Sequence, residues 1–480
     1  MKKGKSAIAL LAVSAVIATS FVGCKGSDTT SSATPTKASS TASSQAASEG
    51  KVLNIWCWNV EFQSRFNDYY PEVKSVAKDK STTTLKDGTT VKWTINANEN
   101  NNYQNKLDAA LQTQDSAATD SKIDIFLFEA DYALKYVNSQ YTLDVKKDIG
   151  ITDKDLANQY KYTQDICTSK DGGLKGVSWQ ATPGLFAYRR DIAQKVFGTD
   201  DPDKIQEKLS SWDKFNASAE EVKAKGYKML SGYDDSYRVF SNNVSAGWVN
   251  GTTVNVDANI MNWVKQTEDF TKKGYNNKTS GLFTSSAWAK DQSPSGNVFG
   301  FFYSTWGINF TLMGNSLAKS ESDGGSQVKG NGTYGEWAVC SGPQSWYWGG
   351  TWIAGCKGSD NIGTIKKVML ALTCNKDIMT KITKVTQDYT NNKAAMDELA
   401  ASDFKSDFLG GQNHIKLFAA TAPKIDMSKA GPYDQGCNEA FQNAFHDYFN
   451  GTVTLDKAKA NFTANIKTKY PELTDVKWPS

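Results

Sequence analysis

The chain has few of the residues on which catalytic and metal centres most often depend. Only two histidines occur in 480 residues, His414 and His446, and each stands alone in helix- or loop-like sequence. A Ser-His-Asp triad and a histidine-rich metal site therefore lack their parts. The sequence also has no Walker A motif, no H-E-x-x-H and no G-x-S-x-G. We predict that the protein is not an enzyme and that it holds no cofactor and no metal.

The net charge is also close to zero, and the sequence has few long apolar runs and no closely spaced cysteines. Fifty-four basic residues stand against 51 acidic ones with no basic stripe, which argues against nucleic acid as a partner. Mean hydropathy is −0.51 and no second long apolar run occurs, which excludes a multi-span membrane protein. No two cysteines form a C-x-x-C pair, so structural zinc is unsupported. The cysteines after Cys24 are compatible with disulfides and with free buried thiols.

The N-terminal residues have the features of an export signal. A basic head with lysine at positions 2, 3 and 5 precedes an almost uninterrupted apolar run over residues 6–22. The run ends in Gly23-Cys24, which resembles the lipobox of bacterial lipoproteins. That resemblance implies cleavage after residue 23 and a lipid on the Cys24 thiol. An ordinary cleaved signal and an uncleaved membrane helix are the alternatives.

Residues 24–50 predict a flexible tether between the anchor and the folded body. They are mostly Ser, Thr, Ala, Gly and Lys, with no large aliphatic or aromatic side chain after Cys24. Such a composition cannot bury a core and stays solvated. We therefore expect a signal peptide over residues 1–23, a tether over 24–50, and a body held at the outer face of a cell membrane.

Beyond the tether, strand-like and helix-like segments alternate, which predicts an α/β fold. Short buried strands are expected at Leu53–Trp56, Ile123–Phe128, Gly176–Trp179, Gly184–Tyr188 and Val298–Tyr303. Helices are expected at Trp212–Lys225, Ala258–Lys273 and Asn438–Phe449, and after a cap at Thr454. The body also carries 14 Trp, 20 Tyr and 22 Phe, many beside Gly, Asn and Ser, which is more than a core requires.

Several segments together resemble one family. After the signal and tether, the body opens with Leu53–Asn59, and four further segments occur in the family's order: Ile123–Asp131, Gly176–Asp191, Gly296–Trp306 and Gly342–Ile353. This series is similar to the extracellular solute-binding proteins (family 1) of carbohydrate ABC transporters, and in particular to their maltodextrin-binding members. The resemblance implies a two-lobe periplasmic-binding-protein fold of type II. Lobe one would comprise residues 51–177 and 349–388, and lobe two residues 178–348 and 389–480.

The resemblance and the chemistry of sugars together nominate the site. A pyranose has apolar C–H faces and a rim of hydroxyls, so its site needs flat rings beside fixed polar groups. The predicted platforms are Trp58, Trp306, Trp346, Tyr347 and Trp348, and Phe128 is a further predicted ligand contact. The predicted polar contacts are Asn59, Glu61, Glu129, Asp131, Gln180, Asp235, Tyr237, Arg238 and Asn438.

The predicted function is that of a substrate-binding lipoprotein. It would capture an oligosaccharide between two hinged lobes as a monomer and deliver it to the transmembrane permease subunits of an ABC importer. The alternative is a secreted glycoside hydrolase or lyase that uses paired carboxylates, Glu129 with Asp131 or Asp235.

Overall fold

The computed structural model describes residues 49–98 and 101–479. The predicted signal peptide, Cys24 and nearly all of the predicted tether lie outside these residues. In the part of the chain that is described, no helix is long and apolar enough to cross a membrane.

Two main sheets organise the body. The larger sheet has the strand order β2-β3-β4-β1-β5-β14-β6, and the central sheet of the other half has the order β12-β7-β13. Two short sheets, β15-β10-β9 and β11-β8, accompany the latter. The strands are β1 Val52–Cys57, β2 Val73–Val76, β3 Thr82–Leu85, β4 Thr90–Ile95, β5 Ile125–Glu129, β6 Val177–Ser178, β7 Gly184–Arg189, β8 Leu230–Gly232, β9 Val249–Asn250, β10 Thr253–Asn255, β11 Asn276–Thr279, β12 Gly300–Ser304, β13 Trp337–Cys340, β14 Thr351–Gly355 and β15 Asp475–Lys477.

Helices pack around both sheets. They are α1 Glu61–Tyr69, α2 Asn102–Gln112, α3 Ala133–Val137, α4 Asp153–Leu156, α5 Lys161–Asp165, α6 Arg190–Phe197, α7 Pro202–Leu209, α8 Trp212–Ala224, α9 Tyr237–Ser241, α10 Ala258–Lys273, α11 Ser286–Asp291, α12 Thr305–Gly307, α13 Met313–Asn315, α14 Ile362–Met369, α15 Lys376–Thr386, α16 Lys393–Ala401, α17 His414–Thr421, α18 Asp434–Phe449 and α19 Leu455–Lys469. Two π-helical turns, Ile308–Leu312 and Leu370–Cys374, continue neighbouring helices.

Local sequence explains the elements that were predicted well. The side chain of Asp257 accepts a hydrogen bond from the Asn259 N–H at the start of α10, and Gly274 ends the helix with a φ of 69°. Thr454 caps α19 as predicted, and the side chains at 458, 462 and 466 on its inner face are fully buried. All five predicted strands exist. Helix α18 begins four residues earlier than predicted, at Asp434.

The fold is two-lobed. The larger sheet and its helices form one lobe, while β7, β12 and β13 with α6–α10, α18 and α19 form the other. Helices α16 and α17 pack beside α15, in a core cluster that holds residues of β14 and also residues of β7, β12 and β13. Phe408 and Gln412, which lie between α16 and α17, contact Trp337 and Val339 of β13 in the second lobe, so the start of that lobe at residue 389 stays a prediction.

Neighbouring backbone segments connect the lobes. Residues 179–183 lead from β6 to β7, and residues 341–350 lead back from β13 to β14. They pair at Pro183 and Tyr347, and the Gly184 N–H donates to the Trp346 carbonyl at 2.7 Å. A third segment, residues 387–391, pairs with the first through Gln180 and Thr390.

The six cysteines of the described chain are free thiols. Five are buried, and Cys374 is half-buried. Burial raises the pKa of the Cys340 and Cys356 thiols to about 12. Of the two possibilities left by the sequence, the structure adopts free buried thiols.

Candidate functional site

Strand β5 delivers two carboxylates to the space between the lobes. Its run of apolar residues is buried on both faces, and Glu129 is its partly exposed last residue. Side chains alternate along a strand, so Phe128 points the other way and stacks on Trp352 with ring centroids 6.2 Å apart. Phe128 is completely buried in the core, which corrects its prediction as a ligand contact.

Asp131, just after β5, forms an ion pair with Arg238 of α9 across the two lobes. The pair is bidentate, with Nη1–Oδ1 and Nη2–Oδ2 distances of 2.9 and 2.5 Å. The two side chains are only 18% and 21% exposed. The guanidinium also lies 5.3 Å from the ring centroid of Trp348. An acid, a base and an aromatic face predicted from sequence therefore meet at one place.

Glu129 is held beside this ion pair and shares its electrostatics. Its Oε2 accepts a hydrogen bond from the Asp131 N–H at 2.9 Å. Burial, and then the negative charge of Asp131, raise the pKa of Glu129 to about 8, although Arg238 opposes the shift. Glu129 is therefore largely protonated near neutral pH and can donate a hydrogen bond as well as accept one.

Trp306 and Glu129 approach the same glycine from opposite lobes. A Cβ added to Gly349 would lie 3.2 Å from Trp306 Nε1 and 3.5 Å from Glu129 Oε1. Gly349 has a φ of 73°, which favours glycine. The Trp306 indole N–H donates to the Trp348 carbonyl at 3.1 Å, and the two indole rings are nearly perpendicular, with centroids 5.1 Å apart. The backbone at this crossing thus holds an aromatic ring next to an acid.

A cavity extends from the ion pair into lobe two. Asp131, Arg238, Tyr347 and Asn438 line it, and all four were predicted from sequence. Further lining residues that sequence reasoning missed are Trp248, Asp426, Lys429 and Asp434. The cavity therefore gathers polar groups from both lobes and from the segment before α18.

Asp434 is the most notable omission of the sequence prediction. Its Oδ2 accepts from the Gly431 N–H at 2.9 Å, while its buried Oδ1 has no partner among the described residues. Burial, and to a lesser extent the charge of Asp131, raise the pKa of Asp434 to about 7. Its position in the first turn of α18, four residues before Asn438, was the available signal.

Trp58 and Asn59 lie at the end of β1, on the side of lobe one. Trp58 is partly exposed and meets Tyr103 and Tyr132 edge-on, with centroid distances of 5.6 and 6.3 Å. The Asn59 side chain accepts a hydrogen bond from the Glu61 N–H at 2.9 Å. Trp58 packs on lobe one and has no aromatic contact with Trp306 or Trp348 in the described chain.

Gln180 belongs to the hinge and contacts Glu61, the first residue of α1. Gln180 is 2% exposed and donates to Glu61 Oε1 at 3.0 Å and to Asp388 Oδ2 at 2.9 Å. Thr305 donates to the other oxygen of Asp388 at 2.6 Å. Burial raises the pKa of Glu61 to about 7, with Arg65 opposing the shift. As placed, Gln180 connects hinge segments, which corrects its prediction as a direct ligand contact.

Three further predicted contacts are packing residues of lobe two. Asp235 is 3% exposed; its carboxylate accepts from the Trp288 indole N–H at 3.0 Å and from the Gly232 N–H at 2.6 Å. Trp346 is 2% exposed and lies so close to Gly184 that a Cβ there would overlap its ring. Tyr237 is 2% exposed and donates to Asn438 Oδ1 at 2.7 Å. These placements correct all three assignments: Tyr237 orients Asn438, and the other two support the fold.

Two exposed phenylalanines beside Trp306 were also missed. Phe283 and Phe310 are 47% and 48% exposed, and each ring centroid lies 5.9 Å from that of Trp306. No sequence signal distinguished them from core phenylalanines.

Known proteins resemble this chain in sequence and in fold. The sequence model of the bacterial extracellular solute-binding protein family matches residues 81–409. No curated protein sequence matches the chain. A crystal structure described as an extracellular solute-binding protein of family 1 is 17% identical, with a TM-score of 0.67 over 88% of this chain and all of that one.

Two sugar complexes share the fold. The ABC-transporter-associated binding protein of B. animalis subsp. lactis Bl-04, in complex with β-1,6-galactobiose, is 18% identical; the TM-score is 0.61 over 89% of this chain and 100% of that chain. The galacto-N-biose-/lacto-N-biose I-binding protein of Bifidobacterium longum, in complex with lacto-N-biose, is 15% identical; the TM-score is 0.58 over 90% and 100%.

The sequence match covers more than half of the chain, and the two-lobed α/β architecture agrees with it. The protein belongs to the bacterial extracellular solute-binding proteins.

Proposed function

We propose that this solute-binding protein is the carbohydrate receptor of an ABC importer. One observation carries the proposal: Glu129 and Asp131 from one lobe meet Arg238, Trp306 and Trp348 from the other at a hinge crossing. Two proteins of similar fold have β-1,6-galactobiose and lacto-N-biose bound, which supports the same class of ligand here.

The chemistry of this meeting point suits a sugar. Trp306 offers an indole face to the C–H groups of a pyranose, while neutral Glu129 and the Asp131–Arg238 pair offer donors and acceptors to its hydroxyls. Hydrogen bonds to charged groups contribute about 1.5–3 kcal/mol each, so the ion pair would provide much of the affinity. A ligand that touches both lobes favours the closed arrangement by its differential affinity.

The cellular setting is part of the proposal. Cys24 would carry the lipid anchor after removal of residues 1–23, and residues 24–50 would tether the body outside the membrane. Lobe one would contain residues 51–177 and 349–388, and lobe two residues 178–348 and 389–480. The protein would act as a monomer, and the permease subunits would recognise its closed form.

A secreted glycosidase or lyase has less support. Asp131 is engaged by Arg238, and both oxygens of Asp235 are occupied by N–H donors in the core. The family is one of binding proteins.

Calorimetry on the chain without residues 1–23 and with Cys24→Ser tests the proposal. Titration with glucan, mannan, xylan and galactoside oligomers should reveal a ligand with a dissociation constant of about 1 µM, or roughly −8 kcal/mol. Arg238→Met should weaken this binding at least tenfold, while Arg190→Met, which removes an arginine that pairs with Asp200 at a distance from the cleft, should leave it unchanged. No heat with any oligomer, or hydrolysis of one that Glu129→Gln abolishes, would contradict the proposal.

A further inference from the structure

Two exposed phenylalanines extend the aromatic surface of Trp306 out of the cleft. Phe283 and Phe310 contact Trp306 with interplanar angles of 89° and 69°, so both rings stand roughly upright beside the indole. Phe283 also lies 5.9 Å from Trp348. We call Phe283 and Phe310 the aromatic rim, which adjoins Trp306 of the cleft. It is continuous with the ion pair through Trp348, on which Arg238 lies.

The backbone that presents Phe283 is strained. Leu282, the residue before it, has a φ of 44°, which L-residues other than Asn and Asp rarely adopt. Such conformations persist only where the surroundings fix them, and they cluster at ligand-binding sites. Here the preceding Gly281 N–H donates to Asp234 Oδ2 at 2.9 Å, and the other oxygen of Asp234 contacts His446 Nε2 at 2.7 Å. A nearly buried acid thus anchors the loop that exposes the ring.

Phe310 is also presented by an irregular backbone. It lies in the π-helical turn Ile308–Leu312, and insertions of this kind are frequent at functional sites. Ile308 and Leu312 are fully buried and pack the turn against the core, while the Phe310 side chain is exposed. The neighbouring Asn309 is partly exposed, and its amide makes a 3.8 Å contact to the Met313 sulfur, a weak interaction that a sugar hydroxyl can replace. The rim therefore combines exposed rings with an adjacent amide.

We infer that the aromatic rim is an outer subsite that takes the further pyranose units of an oligosaccharide whose first units occupy the cleft. This inference rests on the proposed function and narrows the ligand class to chains longer than a disaccharide. The rings of Phe283 and Phe310 contact Trp306 of the cleft. Because they stand upright beside the indole, they suit a sugar chain that presents C–H faces and hydroxyl edges in turn. The first units would lie on Trp306 and the Asp131–Arg238 pair, and only later units would contact the rim.

The test compares ligand lengths in matched variants. Dissociation constants are measured by calorimetry for two-, four- and six-unit oligomers of β-1,4- and α-1,4-glucose, β-1,4-mannose, β-1,4-xylose and β-1,6-galactose. The variants are Phe283→Ala/Phe310→Ala, the ring-retaining Phe283→Tyr/Phe310→Tyr, and Val328→Ala, which trims another exposed apolar side chain of lobe two. The wild-type protein should bind a tetramer more tightly than the dimer of the same series.

The alanine pair should lose about ten- to a hundredfold in affinity for the tetramer, since covering the exposed half of each ring corresponds to about three- to tenfold. Its affinity for the dimer should not change, the tyrosine pair should retain most of the tetramer affinity, and Val328→Ala should match the wild type. Equal affinity for all lengths in the wild type, or an equal loss for dimer and tetramer in the alanine pair, overturns the inference and leaves the proposed function intact. If the alanine pair binds every oligomer normally but no longer supports import in cells, the inference is also overturned, and the rim is a contact surface for the permease instead. Absence of any carbohydrate binding refutes both proposals.

Discussion

Gly349 offers the sharpest test of how the binding site is built. It lies between Trp306 of one lobe and Glu129 of the other, and its φ of 73° lies in the left-handed region. Gly349→Ala should therefore have two separable effects. The backbone conformation costs about 1–2 kcal/mol for an L-residue, and the new methyl group crowds Trp306 Nε1 at 3.2 Å, where ordinary contacts begin at 3.4 Å.

The chain supplies a control with the same backbone cost and no crowding. Gly198 ends α6 with a φ of 72°, and a Cβ there would meet nothing within 4 Å. Gly198→Ala should therefore lower the urea midpoint by the backbone cost alone, and Gly349→Ala by that cost plus the cost of displacing Trp306. Only Gly349→Ala should weaken carbohydrate binding. Displacement of Trp306 breaks its hydrogen bond to the Trp348 carbonyl, which lowers stability by about 0.5–1.5 kcal/mol, and moves the indole away from the ligand, which calorimetry should register as a higher dissociation constant.

Two results would refute this reasoning. If Gly349→Ala binds as tightly as Gly198→Ala, the ligand does not depend on the position of Trp306 above this crossing. If both variants lose affinity equally, general destabilisation accounts for the loss.

The remaining predictions concern buried groups. Asp235→Asn should lower the free energy of unfolding by about 1–3 kcal/mol in urea titrations because one N–H donor loses its acceptor, but it should leave the oligosaccharide dissociation constant unchanged; a weaker ligand affinity would restore Asp235 to the site. The pKa of Glu129 is raised from its ordinary value of 4.5 to about 8, so the stability that this group contributes is present below pH 4.5 and is lost as the pH rises to 8. Urea midpoints should therefore decline between pH 5 and 8, and Glu129→Gln should flatten the decline. An unchanged slope would contradict the raised pKa. With Cys24→Ser, a thiol-specific chromogenic reagent should modify at most Cys374 in the native protein and all six thiols in urea, whereas fewer than six in urea would indicate a disulfide.

Sequence predicted the elements that local rules determine. Helix α10 has its predicted bounds because Asp257 caps it and Gly274 ends it, and β5 is recognisable as an apolar run. The same local rules could have excluded Phe128 from the site, since a strand cannot direct adjacent side chains to one face.

The other errors in the site required tertiary information. The sequence Asp234-Asp235 does not reveal that both acids are buried, because Asp235 is held by Trp288, 53 residues further along the chain, and Asp234 by His446. The exposure of Phe283 depends on an unusual backbone at Leu282, for which the sequence has no signal. Arg238 was predicted, but its pairing with Asp131 follows only from the contact between lobes.

The three paired segments between the lobes form a single hinge. Because residues 179–183 pair with residues 341–350 on one side and with 387–391 on the other, sliding of one half past the other would break several backbone hydrogen bonds at once. Rotation of one lobe relative to the other about the line of the hinge segments preserves these bonds. We therefore expect the lobes to open and close by rotation about this axis. We expect rotation about this line to bring Asp131 back to Arg238 whenever the lobes close, so that the ion pair reports closure.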